Sequence, residues 1–210
     1  MTYSSHDFES HCDTLRASHA IIQRLHERDG YPPFWNRGNG FEALAKTIIE
    51  QQVSLSSANA SVARLRNTLG TINAVTIDEA SDEVIKACGI TRQKTRYLKL
   101  LAETIIAEPD YFDTLAQLED EAARKKLLSL IGIGLWTANV YMLDALNRIN
   151  VYPDYDVALI KSIAYEVFDH APLSNQEASE YILQFAPRQS IACCYFYNAY
   201  ILRKKAPFIP

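Results

Sequence analysis

An all-α fold is what the 210 residues predict, and three observations predict it. Apolar residues recur at three- and four-residue steps: Phe41, Leu44, Ala45, Ile48, Ile49 and Val53 form one stripe on a helix of about four turns. Capping residues precede such segments, and glycine or proline follows them. Few stretches alternate with period two, and none is framed by hairpin turns.

The elements follow in order. The loop GYPPFWNRGNG at 30–40 cannot continue any helix. Beyond the Phe41–Val53 stripe, helices are predicted over 57–69, stopped by Gly70, and over 78–87, ended by Cys88 and Gly89. Thr91 is the expected N-cap of a helix over 92–107, which Pro109 terminates. A helix over 119–130 breaks at Gly132-Ile133-Gly134 and restarts over 137–146. After a linker at 150–155, Asp156 opens a helix over 157–168, Ser174 caps one from Gln176 towards Phe185, and the last runs over about 190–204.

Nearly half the residues are hydrophobic and 22% are charged, as in an ordinary globular protein. No run approaches the roughly 18 to 20 apolar residues of a membrane span. The acidic N-terminus MTYSSHDFESHCDTL lacks the basic and apolar regions of an export signal. A cytosolic protein is expected, at the nucleoid in a bacterium or in the nucleus of a eukaryote. Cys12, Cys88, Cys193 and Cys194 form no CxxC pair, so reduced thiols filling apolar sites are expected rather than a metal site. The net charge of −4 disfavours nucleic acid mildly, yet basic residues gather locally. Lys86, Arg92, Lys94, Arg96 and Lys99 form one group, Arg124, Lys125 and Lys126 a second, and Arg203, Lys204 and Lys205 a third. Each fits a solvated helix face, and together they allow a basic strip.

The most informative segment is LIGIGLWTAN at 130–139: a helix, a turn with glycines two apart, and a second helix. Such glycines permit positive φ and let backbone N–H groups approach another surface closely. The positively polarised N-terminus of the second helix suits a phosphate. A plain helical connection would use the same residues.

In full, the pattern resembles the helix-hairpin-helix DNA glycosylase superfamily, whose hairpin is followed by a Gly/Pro-rich loop and an aspartate. Here the hairpin is followed by VYPDY at 151–155, with proline but no glycine, and by Asp156. FEALAKTIIEQQVS at 41–54 is similar to the family's first core helix, and GITRQKTRYL at 89–98 to its middle helix. Within the superfamily the likeness is to the 3-methyladenine DNA glycosylase II branch.

The resemblance implies a two-lobed helical fold with DNA held in a cleft: residues 1–39 with 149–210 as one lobe, 40–148 as the other, and the hairpin at about 124–146. It implies a catalytic role for Asp156, with Asp154 as the alternative, because breaking an N-glycosidic bond develops positive charge on the sugar. Asp156 would equally suit a helix cap. Gln52 matches the position that enters the stack when a base is flipped out. Trp136 is the foremost candidate wall for a cationic alkylated purine, with Tyr141, Trp35 and Tyr152 behind it. Gly132, Gly134, Thr137 and Lys161 are the expected DNA contacts. No side-chain metal site is implied, though a monovalent cation at the hairpin carbonyls is. Bifunctional relatives carry a lysine where this chain has Trp136, so hydrolysis without strand cleavage is expected. The four-cysteine run of the iron–sulfur branches is missing, which implies no cluster. The expected partner is double-stranded DNA with a damaged base, bound by a monomer. A non-catalytic DNA-binding module and a glycosylase for deaminated or oxidised bases are the alternatives.

Overall fold

The computed structural model describes residues 1–204. Among them every regular element is helical, apart from an isolated bridge between Thr2 and Arg148. The helices are α1 (Phe8–Ser18), α2 (Ala20–Asp29), α3 (Phe41–Glu50), α4 (Leu55–Leu69), α5 (Ala74–Glu79), α6 (Asp82–Ala87), α7 (Arg92–Ala107), α8 (Tyr111–Gln117), α9 (Asp120–Leu128), α10 (Leu135–Asp144), α11 (Val157–Val167), α12 (Asn175–Ile182) and α13 (Gln189–Lys204). A 3-10 turn, Leu183–Phe185, follows α12.

Local chemistry sets most of these limits. The side chains of Ser54, Ser81, Thr91, Asp156 and Ser174 each accept the N–H three residues on, which caps α4, α6, α7, α11 and α12. Two expectations need correction. The first core helix stops at Glu50 and not at Val53, because Gln51 leaves the helix at ψ 126° and Gln52 then turns into the left-handed region at φ 57°. The single helix expected over 78–87 is two: Ala80 and Ser81 are extended, and Ser81 restarts the helix as an N-cap.

The chain divides into two compact units, Met1–Asn36 with Met142–Pro210, and Arg37–Tyr141. In the second, α3 packs on α4 and α7, and α5 on α7, around Leu44, Ile48, Leu65, Ile77 and Leu98, all fully buried. In the first, α13 packs on α1, α2 and α11 around Ile22, Leu159, Ile163, Ile191 and Phe196. Leu143 joins that core, so the division falls inside α10 after Tyr141 and not after residue 148. All four cysteines are buried free thiols, and burial pushes Cys12 up to about 12.

The strap from Arg148 to Val151 leads to Asp156 and is held at the head of α13. The Ser190 hydroxyl has no exposed surface; it accepts the Val151 N–H at 3.0 Å and donates to the Arg148 carbonyl at 2.6 Å. The Ser190 N–H donates to the Ile149 carbonyl at 3.0 Å. Ser190→Ala strands buried backbone groups and should lower the unfolding free energy by about 2 kcal/mol in urea titrations. A loss below about 0.5 kcal/mol would show that the strap does not depend on this hydroxyl.

Candidate functional site

The hairpin lies between α9 and α10. Leu130 N–H donates to the Leu127 carbonyl at 3.1 Å, Ile133 N–H to Leu130 at 3.2 Å, and Ala138 N–H to Gly134 at 3.0 Å. Gly132 sits at φ 90°, and a Cβ there would lie 2.3 Å from the Tyr97 ring of α7. Only glycine fits, for backbone and for space. Gly134 corrects the expectation of a second positive-φ glycine: it lies outside the left-handed region, and a Cβ would meet nothing within 4 Å. Its surface is open. The first-turn N–H groups of α10 have no acceptor within the helix and carry its partial positive charge, so an anion can be met there by backbone alone.

A second set of bonds ties the α3–α4 turn to this hairpin. Gln51 Nε2 donates to the Gly132 carbonyl and to Thr137 Oγ1, both at 2.9 Å. Lys94 Nζ donates to the carbonyls of Ile49 at 2.7 Å and Gln51 at 2.6 Å. Burial lowers the Lys94 pKa, and the nearby Glu50 offsets part of that. Gln52 itself is exposed. Sequence reasoning singled out Gln52 and passed over Gln51, whose partners are about 80 residues away in the chain.

The other candidates in this unit divide. Trp136 is half-buried in the first turn of α10. Thr137 is buried with its hydroxyl taken up by Gln51, so its side chain braces the hairpin from inside. Tyr141 is also interior: its hydroxyl accepts the Gly40 N–H at 2.9 Å and donates to Asn39 Oδ1 at 2.6 Å. It is a strut for the 39–40 loop, a different part from the expected base-contacting ring.

In the first unit, Asp156 is buried at the start of α11, and its Oδ1 accepts the Leu159 N–H at 2.9 Å. The capping role is therefore real. The Tyr197 phenol of α13 feels the charge of the same carboxylate. Desolvation holds the Tyr197 phenol far above its ordinary pKa, and Asp156, Asp144 and Cys193 push it further. Trp35 packs edge-on against Tyr197, with centroids 6.4 Å apart. The buried Tyr152 phenol is raised by desolvation first, then by Cys193, Asp154 and Asp156. Tyr152 and Tyr197 thus both feel the Asp156 charge, and Trp35 packs against Tyr197. Asp154 is only half-buried, Tyr155 is exposed at φ 64° with its N–H on Asn175 Oδ1 at 2.6 Å, and Lys161 is exposed on α11. Tyr197 escaped sequence reasoning because nothing local marks a residue 41 positions from its partner.

The basic groups are not solvated faces throughout, which corrects that reading. Lys94 is buried, and Lys99 donates to the Asp78 carbonyl at 2.7 Å and to that of Ala80. Lys126 pairs with Glu108 at 2.5 Å and lies over the Tyr111 ring. Arg124 binds Asn139 at 2.8 Å and pairs with Glu121. Arg203 pairs with Glu166 at 3.2 Å and covers Tyr165. Arg92, Arg96, Lys125 and Lys204 are exposed, and Lys205 lies outside the described residues. Among the described residues, no group of three or more His, Cys, Asp or Glu could hold a metal ion, and no helix is long and apolar enough to cross a membrane.

Comparison with known proteins bears on this arrangement. A family described as the HhH-GPD superfamily of base excision DNA repair proteins matches residues 45–198. DNA-3-methyladenine glycosylase 1 of Schizosaccharomyces pombe is 29% identical over 129 residues, which cover 60% of this chain and 57% of that protein. The chain spans about half the length of the curated relatives it matches. Among solved structures, the S. pombe 3-methyladenine DNA glycosylase in complex with abasic DNA has a TM-score of 0.82 at 21% identity, covering 96% of this chain and all of that one. A DNA-3-methyladenine glycosidase of Bacillus halodurans has a TM-score of 0.76 at 24% identity, covering 93% and 91%. These likenesses are of fold.

The two glycines should respond differently to alanine. Gly132→Ala should cost about 2 kcal/mol or more, from a left-handed alanine and its collision with Tyr97. Gly134→Ala should be neutral or stabilising by up to about 1 kcal/mol, since alanine fits and restricts the unfolded chain. Thermal melts of both variants check this, and equal losses would contradict the turn geometry.

Proposed function

The chain belongs to the HhH-GPD superfamily of base excision DNA repair proteins, and from that premise we propose that it is a DNA glycosylase that hydrolyses the N-glycosidic bond of alkylated purines in double-stranded DNA. The single observation that carries the reading is Asp156, a buried carboxylate with its orientation fixed by the Leu159 N–H. A sugar losing its base becomes oxocarbenium-like, and a carboxylate held in place stabilises that charge without reorganising. It can also orient or deprotonate the attacking water.

Substrate class follows from the relatives named as 3-methyladenine glycosylases and from chemistry. A 3-methyladenine or 7-methylguanine base is cationic and leaves readily, so aromatic faces select it by cation–π attraction worth about 1 kcal/mol each. Trp136 is the proposed principal wall, with Trp35, Tyr152 and Tyr197 as further proposed walls. The hairpin backbone, open at Gly134, is the proposed phosphate grip, with Lys161 as a side-chain contact and Gln52 as the residue that fills the stack. Neutral carbonyl oxygens of the turn suit a singly charged cation: those of Leu130 and Gly132 each accept one hydrogen bond and keep a lone pair. When bound, such an ion would add attraction for the phosphate. Trp136 offers no amine for a Schiff base, so the reaction ends at a free base and an abasic site. No iron–sulfur cluster takes part, and the protein acts as a monomer in the nucleoid or nucleus.

The test is base release from duplexes that each carry one lesion. The parent should release 3-methyladenine and 7-methylguanine. Asp156→Asn keeps a good N-cap and should melt as the parent does and bind abasic-site DNA. It should nevertheless lose at least about a hundredfold in single-turnover rate, or about 2.7 kcal/mol. Borohydride should trap no protein–DNA adduct. Binding without release of any base would favour a DNA-binding module, and release of deaminated or oxidised bases alone would move the substrate class.

A further inference from the structure

We infer that Gln51 and Lys94 are positioning residues that lock the exposed Gln52 turn to the phosphate-gripping hairpin, making the flipping element and the grip one rigid piece. The inference rests on the proposed function and adds residues that the reading of Asp156 and the hairpin does not require.

Gln52 is exposed and holds φ 57°, a backbone that glycine adopts freely and glutamine does not. Such a conformation persists only when its surroundings impose it. Here they do so from both sides. Lys94 brings its ammonium, buried at a desolvation cost, onto the carbonyls of Ile49 and Gln51 at 2.7 and 2.6 Å, the end of α3 where a cation meets the negative pole of the helix. Gln51 then spends both N–H bonds of one amide on the hairpin, one on the Gly132 carbonyl in the turn and one on the Thr137 hydroxyl in α10.

The third side of this closure is Tyr97. It stands one helical turn after Lys94 on α7, on the same face, and its ring seats Gly132. One helix therefore fixes the hairpin through Tyr97 and the Gln52 turn through Lys94, and Gln51 joins the two. A side chain that enters a base stack must push against something that does not yield, and the phosphate grip supplies that anchor. The hairpin keeps its own turn bonds and its Tyr97 seat without the Gln51 side chain, whereas the Gln52 turn keeps only its Lys94 tie and loses its link to the hairpin.

Gln51→Ala, the near-isosteric Gln51→Glu and Lys94→Met test this in two assays. The first is single-turnover release of an alkylated base that is fully paired, against release of the same base from an unpaired bubble, where extrusion costs little. Gln51→Ala and Gln51→Glu should slow paired release at least about tenfold and bubble release less than about threefold. A purely structural defect would slow both alike, and that result, or unchanged paired release, overturns the inference. The second assay is the fluorescence rise of 2-aminopurine paired with thymine in undamaged duplex, which reports opening without chemistry. The parent should produce the rise and the folded variants should lose most of it. If the parent releases no base yet opens the duplex, the glycosylase reading fails while the positioning role stands. If Gln51→Ala opens it as well as the parent, the positioning role fails whatever the chemistry. Should Lys94→Met not fold, the two Gln51 variants decide alone.

Discussion

The first turn of α11 presents backbone N–H groups that no helical carbonyl can satisfy, and the Asp156 carboxylate meets one of them at Leu159, 2.9 Å away. That bond starts the helix and fixes the carboxylate in the same stroke. Much of the first unit serves to deliver it. Ser190 fixes the strap from Arg148 to Val151, Asn175 receives the N–H of the left-handed Tyr155, and the Pro153 carbonyl accepts the Asp156 N–H at 3.3 Å. Desolvation, with the Asp156 charge adding to it, keeps the Tyr197 phenol protonated. A carboxylate so constrained is costly to build and well suited to a charge that appears only in a transition state.

The second unit makes a similar use of constraint with different chemistry. Its instruments are a glycine with no room for a methyl group, a buried lysine spent on two carbonyls, and one amide that serves two acceptors. None of these residues carries net charge to its surface. A net charge of −4 is compatible with phosphate binding if the anion is met by backbone dipoles and a few exposed cations such as Arg92, Arg96 and Lys125.

What the sequence discloses of this architecture is what local rules govern. Thr91 and Pro109 bracket α7 as expected, and Asp156 caps α11 from the predicted position. α1 and α2 went unread although Phe8, Cys12 and Leu15 keep helical spacing, because charged neighbours surround a narrow stripe and no proline or glycine separates the two helices. Lys94 reads as a surface cation, since a lysine is buried only when distant carbonyls receive it, here from the end of α3. Gln51, Ser190 and Tyr197 share that difficulty: each acts on a partner far along the chain, and no spacing rule reaches so far. Tyr141 misleads in the opposite way, as an aromatic near the hairpin whose hydroxyl is spent on the 39–40 loop.

The central claim is that Asp156 supplies a counter-charge to a cationic sugar. The most direct measurement compares affinities for two duplexes, one with a cationic pyrrolidine in place of the sugar and one with a neutral tetrahydrofuran abasic site. The account predicts that the parent prefers the pyrrolidine by at least about tenfold, as expected for a close charge pair at moderate effective dielectric, and that Asp156→Asn abolishes the preference. Equal affinities in the parent, or a preference that survives in Asp156→Asn, would contradict it.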